Sequence, residues 1–168
     1  MLVGEGPRAP RTAEEFADWV RPHWPAMAGL AARLGGPHGE DALQEALGAA
    51  WRKREQYDES RGTPRAWLLA VVADQGRKTW RTRRPEPVDP VSMDLGAAPG
   101  DDREARLDLA RALTRLTDRQ RLAVELHHVI GLPLAEIASV LGCAEGTVKS
   151  TLSDARKRLR AEMGEEYR

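Results

Sequence analysis

Six side chains between positions 147 and 157 have types and spacing suited to chemistry on DNA: Thr147, Lys149, Ser150, Ser153, Arg156 and Lys157. They recur at helical spacing on one face, with short hydrogen-bonding groups near the start and cations further on. That order suits a helix whose first turns enter a major groove, where hydroxyls meet base edges and cations neutralise phosphates. A second group, Arg77, Trp80, Arg81 and Arg84, also repeats at helical spacing and joins cations to an indole able to stack on an unpaired base. A third, Asp41, Gln44 and Glu45, lies near one side of a helix and could meet arginines of a partner through charge-assisted hydrogen bonds. The last two groups have plainer explanations, because helix ends favour cations and helix starts favour acids. His127, His128 and Cys143 lack the spacing of a metal site, so no metal is expected. With no Gly-rich phosphate loop and no nucleophile grouped with a histidine and an acid, neither a cofactor nor an enzymatic activity is expected.

The elements that must position these residues are helices. Thr117 and Gln120 have capping-box spacing, which starts a helix at Asp118. Leu122, Leu126, Val129 and Ile130 then share a face, and Gly131 can end it. Leu134, Ile137, Ala138 and Leu141 predict a second, short helix behind Pro133. Gly142 follows in a sharp turn. A third helix from about Glu145 buries Val148, Leu152, Ala155 and Leu159. This is the form of a helix-turn-helix DNA reader, although spacing alone also fits a three-helix bundle with a solvated basic face. Upstream, the periodicity predicts a short helix around Phe16, Trp19 and Val20, interrupted by Pro22 and Pro25. Further helices carry Met27 to Leu34, about His38 to Arg54, and Ala66 to about Arg83. Tyr57 to Pro64 reads as a polar loop, and Trp67 as core. Ala105 to Arg115 adds a helix before the helix-turn-helix.

The 26 Lys and Arg balance 26 Asp and Glu, unusual for a nucleic-acid binder. The neutral total hides opposed blocks: five cations and no acid from Arg77 to Arg84, then five acids and no cation from Pro85 to Asp102. That acidic block holds Pro85, Pro87, Pro90 and Pro99 and cannot build a core. The expected organisation is all-α: two small helical domains joined by a flexible linker. Residues 1–11 form a disordered N-terminus, 12–84 the first domain, 85–102 the linker, 103–163 the helix-turn-helix domain and 164–168 a tail. A single cysteine, no signal pattern and no apolar run of about 20 residues point to a cytoplasmic protein that does not insert into membranes.

The segment GLPLAEIASVLGCAEGTVKSTLSDARKRL resembles the promoter-reading region 4 of bacterial sigma factors of the sigma-70 class. Response-regulator output domains share E-I-A and T-V-K, but usually continue with a His and an I-x-x-K-L pattern that are missing here. GEDALQEALGAAW at 39–51 is similar to the E-D-x-x-Q-E segment of sigma region 2. YDESRGTPRAWLLAVVADQGRKTWRTRRP at 57–85 is similar to the segment after it. Region 2, a short linker and region 4, in that order, resemble the extracytoplasmic-function (ECF) sigma factors.

The resemblance implies a factor that binds core RNA polymerase and directs promoter-specific initiation. Asp41, Gln44 and Glu45 would dock on the clamp helices of the large polymerase subunit. Tyr57, Asp58, Ser60, Arg61 and Asp74 would take part in capturing a flipped base of the −10 element, with Arg77, Trp80, Arg81 and Arg84 on the opened strand. Thr147, Lys149, Ser150, Ser153, Arg156 and Lys157 would read the −35 element. Family members are commonly held inactive by an anti-sigma protein clasping both domains, which the linker would permit and no residue here identifies. Four positions depart from the family pattern. Asp74 stands where Asn is frequent, and Lys78 replaces a common Asp, removing an expected local ion pair. Thr151 and Asp154 stand where Arg is frequent, which should lower affinity for phosphates. Asp154 would either accept from a cytosine amino group or pair with Arg158. A stand-alone helix-turn-helix regulator and a degenerate sigma-like protein-binding module are the alternatives.

Overall fold

The computed structural model describes residues 9–82 and 103–163. The linker, the tail, Arg84 and most of the N-terminal segment therefore lie outside the described residues, as do the side chains of Trp80 and Arg81. Eight α-helices occur among the described residues: α1 Ala13–Val20, α2 Trp24–Gly35, α3 Gly39–Lys53, α4 Pro64–Thr82, α5 Arg103–Thr114, α6 Asp118–Val124, α7 Leu134–Leu141 and α8 Glu145–Met163. No strand is found among them.

The capping chemistry sets several boundaries. Thr12 and Glu15 form a reciprocal capping box at α1, and Thr117 and Gln120 form another at α6. Pro22 sits in a 3-10 turn, Arg21–His23, and Pro25 falls in the first turn of α2, where its missing N–H costs nothing. Gly142 ends α7 in the left-handed conformation, φ 62°. There a side chain would be strained and glycine is not.

The first domain is built from α2, α3 and α4 packed on one another. Small residues let α3 approach closely: Ala42, Ala46, Ala49 and Ala50 are all buried. One flank is aromatic. The Phe16 and Trp51 rings lie 5.3 Å apart edge to face, as do Trp19 and Tyr57, while Trp19 and Trp67 are 5.6 Å apart. Such edge and tilted pairs satisfy the ring quadrupoles better than a flat stack would. Tyr57 to Pro64 is thus only partly the polar loop expected. Tyr57 is buried, its hydroxyl donates to the Gly62 carbonyl at 3.2 Å, and Glu59–Arg61 form a 3-10 turn.

In the second domain α5, α6 and α7 pack on α8. Between α6 and Gly131 the chain makes a π turn, Glu125–Val129, and the Leu132 N–H donates to the Leu126 carbonyl at 2.9 Å. A π turn holds one residue more than an α turn. The expected apolar face is displaced accordingly: Leu122 and Leu126 are buried, whereas Val129 is 46% exposed.

The two domains are in contact. Helix α4 packs against α7, and one hydrophobic cluster runs from Met27, Leu30, Leu68, Leu69 and Val72 to Leu126, Leu132, Ile137 and Val148. A smaller cluster of Leu113, Leu116 and Ala155 holds α5 to α8.

Candidate nucleic-acid interface

The α7–turn–α8 unit presents the candidate reading face. Val148, Leu152 and Ala155 are buried and fix the rotation of α8 about its axis. Thr147, Lys149, Ser150, Arg156 and Lys157 are consequently exposed, and Ser153 is half-buried beside them. The Ser150 hydroxyl donates to the Thr147 carbonyl at 3.0 Å, and the Thr151 hydroxyl donates to the same carbonyl at 2.7 Å. Both oxygens keep lone pairs able to accept from a base amino group. Asp154 pairs with Lys157 at 3.9 Å on the exposed face, an i,i+3 contact in place of the expected partner Arg158. Exposed pairs of this kind contribute little, so Lys157 stays available to a phosphate.

In the first domain the expected −10 residues divide. Asp58 caps the 3-10 turn: its carboxylate accepts from the Ser60 backbone at 2.9 Å and from the Ser60 hydroxyl at 2.7 Å. These hydrogen bonds, the hydroxyl's first, hold its pKa below the usual carboxylate range. Asp58 and Ser60 thus shape the loop, Tyr57 anchors it from inside, and Arg61 points to solvent. Asp74 is half-buried and paired with Lys78 at 2.9 Å, a contact that also lowers its pKa. The substitution at 78 therefore supplies an ion pair where the sequence suggested one had been lost. Arg77 is exposed on the same helix. Asp41, Gln44 and Glu45 are exposed together on α3, opposite the buried Ala42, Leu43 and Ala46.

Sequence reasoning missed the residues at the seam between domains. Glu125 is only 3% exposed, and its carboxylate lies 3.5 Å from the Arg33 guanidinium of α2. Arg65 of α4 donates to the Ile130 carbonyl at 3.0 Å. The Ser139 hydroxyl of α7 lies 3.4 Å from the Arg61 carbonyl and 3.2 Å from its own helix's Ala135 carbonyl. A weak signal for Glu125 existed, since an acid flanked by Val124 and Leu126 on an otherwise apolar face is out of place.

Burial pushes the Glu125 carboxyl up from its ordinary value, partly opposed by the Arg33 and Arg121 guanidiniums. Just above the ordinary carboxylate range, the folded chain therefore keeps a proton that the unfolded chain has released. Stability falls as pH rises through that interval. Glu125→Gln lacks this loss, so its melting temperature should gain on the wild type as pH climbs through the interval. Parallel curves for the two proteins would refute the assignment.

Comparison with known proteins matches this geometry domain by domain. Residues 19–86 fit the family described as sigma-70 region 2, and residues 106–159 fit sigma-70, region 4. The chain is 31% identical over 146 residues to the ECF RNA polymerase sigma factor SigK of Mycobacterium ulcerans, a match covering 79% of this chain and 76% of that one. The chain belongs to the ECF sigma factors. This sigma factor is also 34% identical over 141 residues to SigJ of Mycobacterium tuberculosis, covering 73% of its own length and 42% of SigJ. Among solved structures it resembles the sigma factor RpoE of Bartonella quintana in complex with the anti-sigma factor NepR. That match has a TM-score of 0.67 and 25% identity, over 92% of this chain and 99% of that one. It also resembles CnrH in complex with the cytosolic domain of CnrY, with a TM-score of 0.66 and 27% identity, over 89% and 88% of the two chains.

Sigma factors are not enzymes. None of the described helices is long and apolar enough to cross a membrane, and among the described residues no group of three His, Cys, Asp or Glu could hold a metal ion.

Proposed function

We propose that this sigma factor directs promoter-specific transcription initiation by joining core RNA polymerase and reading two promoter elements. The observation that carries this is the solvent-facing row on α8, Thr147, Lys149, Ser150, Arg156 and Lys157, presented by a helix-turn-helix behind a region 2 domain. The hydroxyls and Lys149 meet base edges of the −35 element, and Arg156 and Lys157 neutralise phosphates. Region 2 engages the −10 element through Arg61, Asp74 and the stripe Arg77, Trp80, Arg81, Arg84, on a loop shaped by Tyr57, Asp58 and Ser60. The exposed trio Asp41, Gln44 and Glu45 docks on the clamp helices of the large polymerase subunit, and the work is done in the cytoplasm. Binding energy drives strand opening, and no covalent step is needed.

An anti-sigma protein spanning both domains is a further proposed partner. Its support is the likeness, across both domains, to chains solved with NepR and with CnrY.

Purified protein, bacterial core polymerase and fragmented genomic DNA of the source organism test the reading, with new RNA 5′ ends mapped by sequencing. Initiation clustered downstream of a shared pair of elements is expected, and Asp41→Arg with Glu45→Arg should cut it at least tenfold by blocking co-migration with core. Failure of the wild type to co-migrate with core would leave a stand-alone DNA regulator. Co-migration without initiation would indicate a degenerate binding module.

A further inference from the structure

We propose that Arg54 is a positioning residue for the −10 loop, clasping the N-terminal segment to the end of α3 so that Tyr57 leaves that helix along one fixed path. The inference rests on the reading of Tyr57, Asp58, Ser60 and Arg61 as −10 residues for its functional half, and on geometry for the rest. Arg52 and Lys53, just before it, are exposed, as cations in the last turn of a helix commonly are. Arg54 turns inward instead, its side chain only 20% exposed. Its Nη1 donates to the Trp51 carbonyl at 2.8 Å, and the guanidinium lies 4.0 Å from the centre of the Trp51 ring. Capping an open carbonyl and stacking on an indole would be enough to end α3. The remaining bond is not local: Nε donates to the Pro10 carbonyl at 3.1 Å, across 44 positions of chain.

Both ends of that bond are held in place. Pro10 is buried and its ring fixes φ, while the Arg11 N–H donates to the Glu15 carboxylate at 2.6 Å, at the head of α1. On the other side, the Arg54 carbonyl accepts from the Tyr57 N–H at 3.1 Å. The residue that clasps the N-terminal segment thus also carries the first turn into the loop. A second path runs through rings: Trp51 to Phe16 at 5.3 Å, Phe16 to Trp19 at 6.1 Å, and Trp19 to Tyr57 at 5.3 Å. Releasing Arg54 therefore loosens Tyr57 at its backbone and at its ring. The rival role, a phosphate contact, is opposed by the engagement of all three guanidinium nitrogens, since Nη2 lies 3.6 Å from the Glu55 carboxylate.

Amide exchange and DNA binding by the full chain test the idea. In Arg54→Ala, exchange of the Tyr57 amide should quicken at least tenfold, while the amides of Leu152 and Ala155 in α8 keep their rates. Holoenzyme with this variant should bind a single-stranded −10 oligonucleotide, taken from the mapped promoters, at least tenfold more weakly. Its affinity for a duplex carrying the −35 element alone should not change. Arg54→Lys should behave like Arg54→Ala, since an ammonium lacks the planar fork that meets two carbonyls while stacked on an indole. Recovery by lysine, or a salt slope lowered by about 0.9 in Arg54→Ala, would make Arg54 a phosphate contact and overturn the proposal.

Pro10→Gly keeps the guanidinium and removes the buried ring, so it guards against an Arg54 variant that fails to fold. It should quicken the Tyr57 amide in the same direction, and an unchanged rate there would refute the clasp. Faster exchange with undiminished oligonucleotide binding would refute its part in −10 capture. If the wild type itself fails to initiate, the sigma reading falls alone, and amide exchange still decides whether Pro10 and Arg54 hold the loop.

Discussion

Replacing Lys149, Arg156 and Lys157 together by alanine should weaken promoter binding by roughly a hundredfold at physiological salt and make it much less salt-dependent. All three are exposed on the α8 face, and the ion pair of Lys157 with Asp154 spans 3.9 Å in open solvent. Each cation that displaces a counterion from a phosphate adds about 0.9 to the slope of log affinity against log salt, so loss of Arg156 and Lys157 should remove about 1.8, and loss of Lys149 from the base edges lowers affinity further. Stability should change by no more than about 0.5 kcal/mol, since no packed side chain is touched. Co-migration with core polymerase should persist, because the proposed docking trio lies on α3. Titrations of holoenzyme on a promoter at several salt concentrations provide the check. An unchanged slope would remove α8 from the DNA interface.

Gly39→Ala should destabilise the fold by about 1–3 kcal/mol, although alanine is the better helix former. Gly39 is the buried first residue of α3, where a Cβ would stand 2.6 Å from the Ala32 Cα and 3.0 Å from the Ala31 carbonyl oxygen. Those atoms are backbone of α2, so the helices must part rather than a side chain rotate. At about 2–4 °C per kcal/mol for a chain of this size, melting should fall by roughly 2–12 °C. Gly48→Ala on the same helix is the control. Its Cβ would meet only the mobile end of Arg52, at 3.2 Å, so it should be neutral or gain up to about 1 kcal/mol. Thermal denaturation of the pair by circular dichroism separates steric conflict from helix propensity. Equal melting temperatures would refute the close approach of α2 and α3.

Local chemistry is largely legible in the sequence. Thr117 with Gln120 marks the start of α6, Gly142 the turn into α8, and the periodicity of Val148, Leu152 and Ala155 the rotation of α8 about its axis. Each of those signals is carried by residues within a few positions of one another. The seam was not legible for the opposite reason. Leu132 and Ile137 look the same in sequence whether they cover their own domain or another one, and Arg65 meets Ile130 across 65 positions. The π turn was equally hidden, because one extra residue per turn leaves the apolar composition unchanged while turning Val129 out and Glu125 in. Tyr57 appeared to belong to a polar loop because its burial depends on Trp19 and Trp67, from two different helices.

The single apolar cluster that runs through both domains gives this protein a thermal character. Parting the seam wets methyl groups, so the open form has the higher heat capacity, and the attraction holding the closed form weakens on cooling. Cold therefore loosens the contact between the two domains, and their attachment is firmest at warmer temperatures short of unfolding.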